Sequence, residues 1–239
     1  MPAPVHAYAL CHPWGAEGCA ANRMMVSLAK LHRLCTAAAK AAGASGLVAR
    51  SLADATVVAE AEGHKTVGVA HFFDYLDAFR AGRIDPTAMP VLKRVKPAIF
   101  HSDAMGGIAQ LGFDRAFKRY VAAVKKHGLA LFTQSNAWTC GSLGYHAERL
   151  AAEGLVALAA TNASAMIAGG GAAKPVYGTN PIAFAAPVKD GPPLLIDQSS
   201  SATAFVNVRS AAERGETIPD GWAIDRDGMP TTDPKAAMD

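Results

Sequence analysis

The sequence predicts an α+β fold: an N-terminal helical unit followed by a non-Rossmann, mixed or antiparallel sheet domain with flanking helices. Three observations carry this. Apolar residues recur at three- and four-residue spacing through residues 27–83. Beyond residue 98 short apolar runs of strand character alternate with helical stretches. No Gly-x-Gly-x-x-Gly follows any strand-like run.

In chain order, residues 1–24 show neither periodicity nor the basic-then-apolar order of a signal peptide. They are expected to form an unpacked extension, with Met25 a candidate second start. Ser27 is the expected N-cap of a first helix in which Leu31, Cys35, Ala38 and Ala42 share a face and Gly43 closes the end. Ser45 opens a second, with Val48, Leu52, Ala55 and Ala59 inward and Gly63 after it. A third begins near Val69, with Phe72, Phe73, Leu76 and Phe79 toward the core and Gly82 as its stop.

Pro86, Pro90 and Pro97 punctuate an extended crossing, and a domain boundary is expected there, giving domains at 25–97 and 98–239. Phe113 to Val124 reads as a helix whose Lys125, Lys126 and His127 suit its negative C-terminal end. Leu129 to Thr133 reads as a strand, Leu143 to Glu153 as a helix and Leu155 to Thr161 as a strand. Two more strands flank the turn at Gly178, Asn180 and Pro181, a helix is expected from Ala204 to Arg214, and the tail from Ile218 onward reads as turns throughout.

With 239 residues, 51% of them apolar, the chain can bury a core. A net charge of +3 without a Lys/Arg block argues against nucleic acid as a partner, so Lys93, Arg94, Lys96, Lys125 and Lys126 read as solvated faces. Cys11, Cys19, Cys35 and Cys140 show no metal-ligand spacing, so no metal site is expected and the thiols are expected reduced in a cytoplasmic protein. The most apolar run, Leu155 to Ala168, is interrupted by Thr161, Asn162 and Ser164, so no membrane span is expected.

Candidate chemistry concentrates in a few places. The segment Val176 to Gln198 joins a turn with backbone N–H groups to a strand ending in Asp197 and Ser199, a seat for a phosphate or ribose that reads equally as an ordinary β-hairpin. His64 and His71 straddle Gly68 at the mouth of the third helix, where an imidazole can serve as a general acid or simply lie at a polar boundary. His101, beside Ser102-Asp103 and ahead of Gly106-Gly107, is a further loop candidate. Gly169 to Pro175 lacks the Gly-Lys-Ser/Thr ending of a phosphate loop, and Asp225 to Gly228 lacks the other ligands of a calcium loop.

Three ordered motifs carry a resemblance: Gly178-Thr-Asn-Pro181-Ile-Ala-Phe-Ala-Ala-Pro187, then Leu195-Ile-Asp197-Gln-Ser-Ser200, then Ile218-Pro-Asp-Gly-Trp222 through Thr231-Thr-Asp-Pro234. Together with the helical segment from Val26 to Arg83, they resemble the type 2 malate/L-lactate dehydrogenase family over nearly everything from Met25 to the end. The resemblance implies an NAD(P)-dependent oxidoreductase of small 2-oxo acids or cyclic imino acids, homodimeric, with 98–239 as its NAD(P)-binding domain. It places NADP or NAD on Gly178, Thr179 and Asn180 and on Asp197, Gln198 and Ser199, with Asn162 and Ala163 nearby.

The catalytic positions depart from the family pattern. Where the family shows Ser-His-Gly and then Arg, this chain has Thr66, Val67, Gly68 and His71. Where it shows Asn-His-Phe-Gly, this chain has Asn136-Ala137-Trp138-Thr139-Cys140-Gly141. The resemblance therefore points to the branch that reduces Δ1-pyrroline-2-carboxylate, with His71, His64 and Thr66 as the catalytic candidates. Family members also continue past the Thr-Thr-Asp-Pro motif, which implies either a fragment or a broken gene. The alternative expectation is a truncated, catalytically inactive remnant that at most binds a dinucleotide or a partner chain.

Overall fold

Ser27 and Ser45 open the first two helices as the sequence predicts: each side chain accepts from the backbone N–H three residues on, Lys30 and Val48 respectively, at 3.3 Å. The computed structural model describes residues 26–238. The expectations about residues 1–24 and Met25 lie outside the described residues. Helix α1 spans Leu28–Ala41 and α2 Gly46–Ala61, each followed shortly by a glycine at positive φ, Gly43 and Gly63. Helix α3 spans Val69–Arg80. Its inward face is Phe72, Tyr75, Leu76 and Phe79, whereas Phe73, expected in the core, is 44% exposed. At about 100° per residue, Phe72, Tyr75, Leu76 and Phe79 fall within an arc of roughly 100°, and Phe73 lies about 60° beyond its edge.

Strand β1 (Val91–Lys96) runs antiparallel to β2 (Ile99–Asp103), and β2 runs parallel to β3 (Leu131–Ser135), so this sheet is mixed. Helix α4 (Ala109–His127) connects β2 to β3, and α5 (Gly144–Ala151) follows. His101, expected on a loop, sits within β2, and its ring bridges to the neighbouring strand through Thr133 Oγ1 at 3.0 Å and Ser135 Oγ at 3.2 Å.

Then come β4 (Ala157–Ala160), β5 (Ile167–Ala168), β6 (Pro175–Tyr177), β7 (Ile182–Ala186) and β8 (Leu194–Gln198). Helix α6 (Phe205–Arg214) and the short strands β9 (Ala223–Ile224) and β10 (Pro230–Thr231) end the described chain. Strand β6 pairs with β5, while β7 lies between β4 and β8, so residues 178–181 pass from one sheet to another rather than closing a hairpin. The tail is not turns throughout: β9 and β10 pair antiparallel around the Asp225–Gly228 turn. Ala237 packs there with Trp222 and Ala223 against Val208, Ala211 and Ile218. Among the described residues no helix is long and apolar enough to cross a membrane.

The chain divides into two compact units, whose described parts are residues 27–157 with 184–195, and residue 26 with 158–183 and 196–238. Residue 97, where the prolines suggest a boundary, lies inside the first. The reason is packing across that point: Asp114 on α4 accepts from Ser51 on α2 and from Arg149 on α5. The Arg149 guanidinium lies 4.6 Å from the centre of the Phe117 ring and 5.0 Å from that of Tyr145. Removing the carboxylate strands two donors in a half-buried site, so Asp114→Ala should lower stability by about 2–4 kcal/mol, read from urea unfolding.

Cys35 on α1 is buried, and burial, with a smaller contribution from the Glu60 charge, pushes its thiol up to about 12. Only the thiolate attacks an alkylating agent. At pH 8 iodoacetamide should therefore label Cys140 well before Cys35, and Cys35 should react only on unfolding, as peptide mapping by mass spectrometry would report.

Candidate active site

Two sets of residues merit a functional reading, one in each unit. In the larger unit, Gly68 is the N-cap of α3 and has no side chain with which to cap it. The Glu60 carboxylate from the end of α2 accepts from Val69 N at 2.6 Å and takes that role. A Cβ at residue 68 would collide with the Glu60 carboxylate, so the glycine is required by this approach.

His71 then falls on the first turn of α3. Its Nδ1 lies 2.9 Å from Asp74 Oδ2, and its Nε2 lies 2.7 Å from Thr139 Oγ1. A carboxylate only accepts, which puts a hydrogen on Nδ1 and leaves Nε2 to pair with the threonine hydroxyl. Trp138 stacks beside the imidazole, with centroids 5.8 Å apart and planes 9° apart.

Tyr75, one turn further along α3, anchors the opposite wall. Its hydroxyl donates to Thr139 O at 2.8 Å, lies 3.0 Å from Thr139 Oγ1, and accepts from Gln110 Nε2 at 3.0 Å. Gln110 Nε2 also donates to Cys140 O at 3.1 Å. Burial holds the Tyr75 phenol well above its ordinary range, so it stays protonated and keeps donating. When the imidazole is cationic, every contact in this set has its own proton. When it is neutral, the single Thr139 hydroxyl proton serves either His71 or Tyr75.

The loop carrying Trp138 and Thr139 is held from below. Gly106 N donates to Asn136 O at 2.8 Å, Trp138 N donates to Gly107 O at 3.0 Å, and Asn136 Nδ2 reaches both oxygens of Asp103 at 3.1 Å. The backbone N–H of Met105 and the Asn136 amide hold the Asp103 carboxyl below its usual range.

Of the three catalytic candidates, His71 is the one fixed by side-chain hydrogen bonds. His64 and Thr66 lie in the α2–α3 turn, where His64 N donates to Ala59 O and Val67 N to His64 O. Asp74, Tyr75, Trp138 and Thr139 are not singled out by sequence reasoning. Asp74, three residues after His71 on a helix, has the spacing that would have found it.

In the smaller unit the residues proposed to hold a dinucleotide are knit together locally. Asn180, at φ 34°, turns its side chain back so that Oδ1 accepts from Ala163 N at 3.0 Å. Ser200 N donates to Thr179 O at 2.8 Å, which ties the 178–181 segment to the end of β8, three residues beyond Asp197. Gly178 is buried, and a Cβ there would overlap Ala163 O and crowd Asn180 Oδ1. Asn162, Ala163, Gln198 and Ser199 are exposed around this close approach. Such a seam of backbone and small polar groups beside a carboxylate is chemically suited to phosphate and ribose.

A model of the malate/L-lactate dehydrogenase family matches residues 26–239. The chain belongs to that family. Among its relatives, Delta(1)-pyrroline-2-carboxylate reductase 1 of Burkholderia ambifaria is 35% identical over 215 residues, covering 90% of this chain and 63% of that protein. The (2R)-3-sulfolactate dehydrogenase (NADP(+)) of Chromohalobacter salexigens is 38% identical over 214 residues, covering 90% of this chain and 64% of its own. A crystal structure of delta1-piperideine-2-carboxylate reductase from Pseudomonas syringae superposes with a TM-score of 0.86 at 33% identity, covering 90% of this chain and 65% of that one. The chain thus spans under two thirds of the length of these relatives.

Tyr75→Phe leaves Thr139 O without its donor and Gln110 Nε2 without one acceptor. We expect a loss of about 1–3 kcal/mol in urea unfolding and an altered Trp138 emission, while truncating exposed Phe73 to Ala should change stability by less than 1 kcal/mol.

Proposed function

We propose that the chain carries the machinery of an NAD(P)H-dependent reductase acting on a small cyclic imino acid of the Δ1-pyrroline-2-carboxylate type, as a homodimer in the cytoplasm. The observation that carries this is the loss of two imidazoles at once, at Val67 and Ala137, from a chain that keeps the dinucleotide motifs. A bound reduced nicotinamide supplies hydride. Asn162, Ala163, Gly178, Thr179 and Asn180 would hold the NADP or NAD through backbone and amide groups, and Asp197, Gln198 and Ser199 through its ribose hydroxyls.

The substrate's own protonation state explains why the two missing imidazoles are tolerable. A cyclic iminium already carries its proton on nitrogen, so addition of hydride to carbon yields the neutral amine without a positioned acid. A 2-oxo acid becomes an alkoxide and requires one. Here His71, held by Asp74, can donate only through Thr139, an exposed residue. That chain supports a slower 2-oxo acid reduction as a second reading, with the proton passing from His71 Nε2 to Thr139 Oγ1 and from Thr139 to the alkoxide. The relatives' activities on pyrroline-2-carboxylate and on sulfolactate are in keeping with both readings.

The test combines a fluorescence titration with NADPH and NADH and turnover followed by cofactor absorbance with pyrroline-2-carboxylate, pyruvate and oxaloacetate. Binding and turnover of the imino acid are expected. Gly178→Ala should weaken dinucleotide binding about tenfold or more. His71→Asn should lower any 2-oxo acid rate by about 10²-fold or more while changing imine reduction by less than about tenfold. Binding without turnover on every substrate would favour an inactive remnant, and no binding at all would overturn the oxidoreductase reading.

A further inference from the structure

The basic residues read from the sequence as solvated faces do not simply point into solvent from separate places. Lys93 and Arg94 on β1 and Arg119 and Lys126 on α4 line one groove of about 430 Å³, floored by Leu92, Phe100, Ala116, Ala122 and Ala123. This volume falls within the range of small-ligand sites. No carboxylate lines it. Arg119 and Lys126 are seven apart on α4, two turns along one side of the helix.

The cations are unevenly engaged, which is informative. Arg94 is fixed: Nε and Nη2 donate to Pro97 O at 3.0 and 2.6 Å, and its guanidinium lies 5.8 Å from the centre of the Phe100 ring. That places a pre-set positive group over an aromatic floor at no further ordering cost when an anion arrives. Among the described residues Lys93, Arg119 and Lys126 form no hydrogen bond or ion pair through their side chains; the field of Lys93 is felt at Asp103. Lys125, the immediate neighbour of Lys126, is by contrast paired with Glu153 at 3.2 Å. Arg94, Arg119 and Lys126 beside this apolar floor repel one another, and an anion with an apolar body relieves that repulsion.

We propose that this groove binds a small organic anion: one carboxylate or phosphate group met by Arg119 and Lys126 beside the fixed Arg94, and an aromatic or branched aliphatic body laid along the apolar floor between β1 and α4. The site lies wholly within the larger unit and shares no residue with the His71 set or with the proposed dinucleotide residues. Its fate is therefore separable from that of the reductase reading.

Isothermal titration of the full chain with naphthoate, naphthyl phosphate and the neutral naphthalenemethanol tests this. Both anions are expected to bind, more weakly as salt rises, with the neutral analogue at least about tenfold weaker. The ratio of carboxylate to phosphate affinity identifies the preferred head group. Arg119→Glu and Lys126→Glu, both at exposed positions, should each reduce anion affinity about tenfold or more with unchanged circular dichroism, while Lys30→Glu on α1 should leave it unaltered. Equal affinity for the neutral compound, no measurable binding of either anion, or equal losses in Lys30→Glu and the groove variants would overturn the proposal.

Discussion

The larger unit depends on one phenol. Tyr75 is buried, and its hydroxyl joins three segments at one point: α3, the start of α4 through Gln110, and the loop 136–141 through Thr139. Each partner is a group whose burial without a hydrogen bond would cost more than the bond contributes when made. Burial keeps the phenol protonated, so its hydroxyl remains a donor to Thr139 O. The position of Thr139, and with it the second partner of His71, follows from this anchor rather than from any preference of residues 137–141 themselves.

In the smaller unit the comparable constraint is backbone proximity. Gly178 lets its own chain approach Ala163, and Asn180 adopts a positive φ that lets its side chain bond back to the same residue. The 178–181 segment is shaped before any ligand arrives. Preorganisation of that kind would reduce the ordering cost of the dinucleotide binding proposed above.

Much of the helical part was legible because its signals are local. Ser27 and Ser45 cap where the apolar period starts, and glycines stand where it stops. Phe73 has the apolarity of a core residue but not the helical phase of one. The polar run His-Ser-Asp with glycines after it suggests a loop at His101, yet pairing of β2 with both β1 and β3 overrides that local signal. The β9–β10 pair was missed because two-residue strands carry no period to detect. Motifs point to Gly178 through Asn180 and to Asp197, whereas nothing local points to Trp138 and Thr139: Trp138 is held by Gly107, some thirty residues upstream, and Thr139 by Tyr75 and His71 on α3.

The chemistry follows from what His71 can and cannot do where it stands. Its two nitrogens are both engaged, one by Asp74 and the other by Thr139, and its ring is packed beside Trp138. A general acid that must also reorient would lose those contacts on each turnover, whereas a fixed ring can act only through the hydroxyl it touches. Proton delivery through Thr139 adds a transfer and demands a second alignment, a poor route for an alkoxide that needs its proton as it forms. An iminium makes no such demand at its carbon. On the proposed imine-reductase reading, the arrangement around His71 suits a substrate that brings its own proton, and the absence of histidine at positions 67 and 137 would follow from substrate class rather than stand as a defect to be compensated.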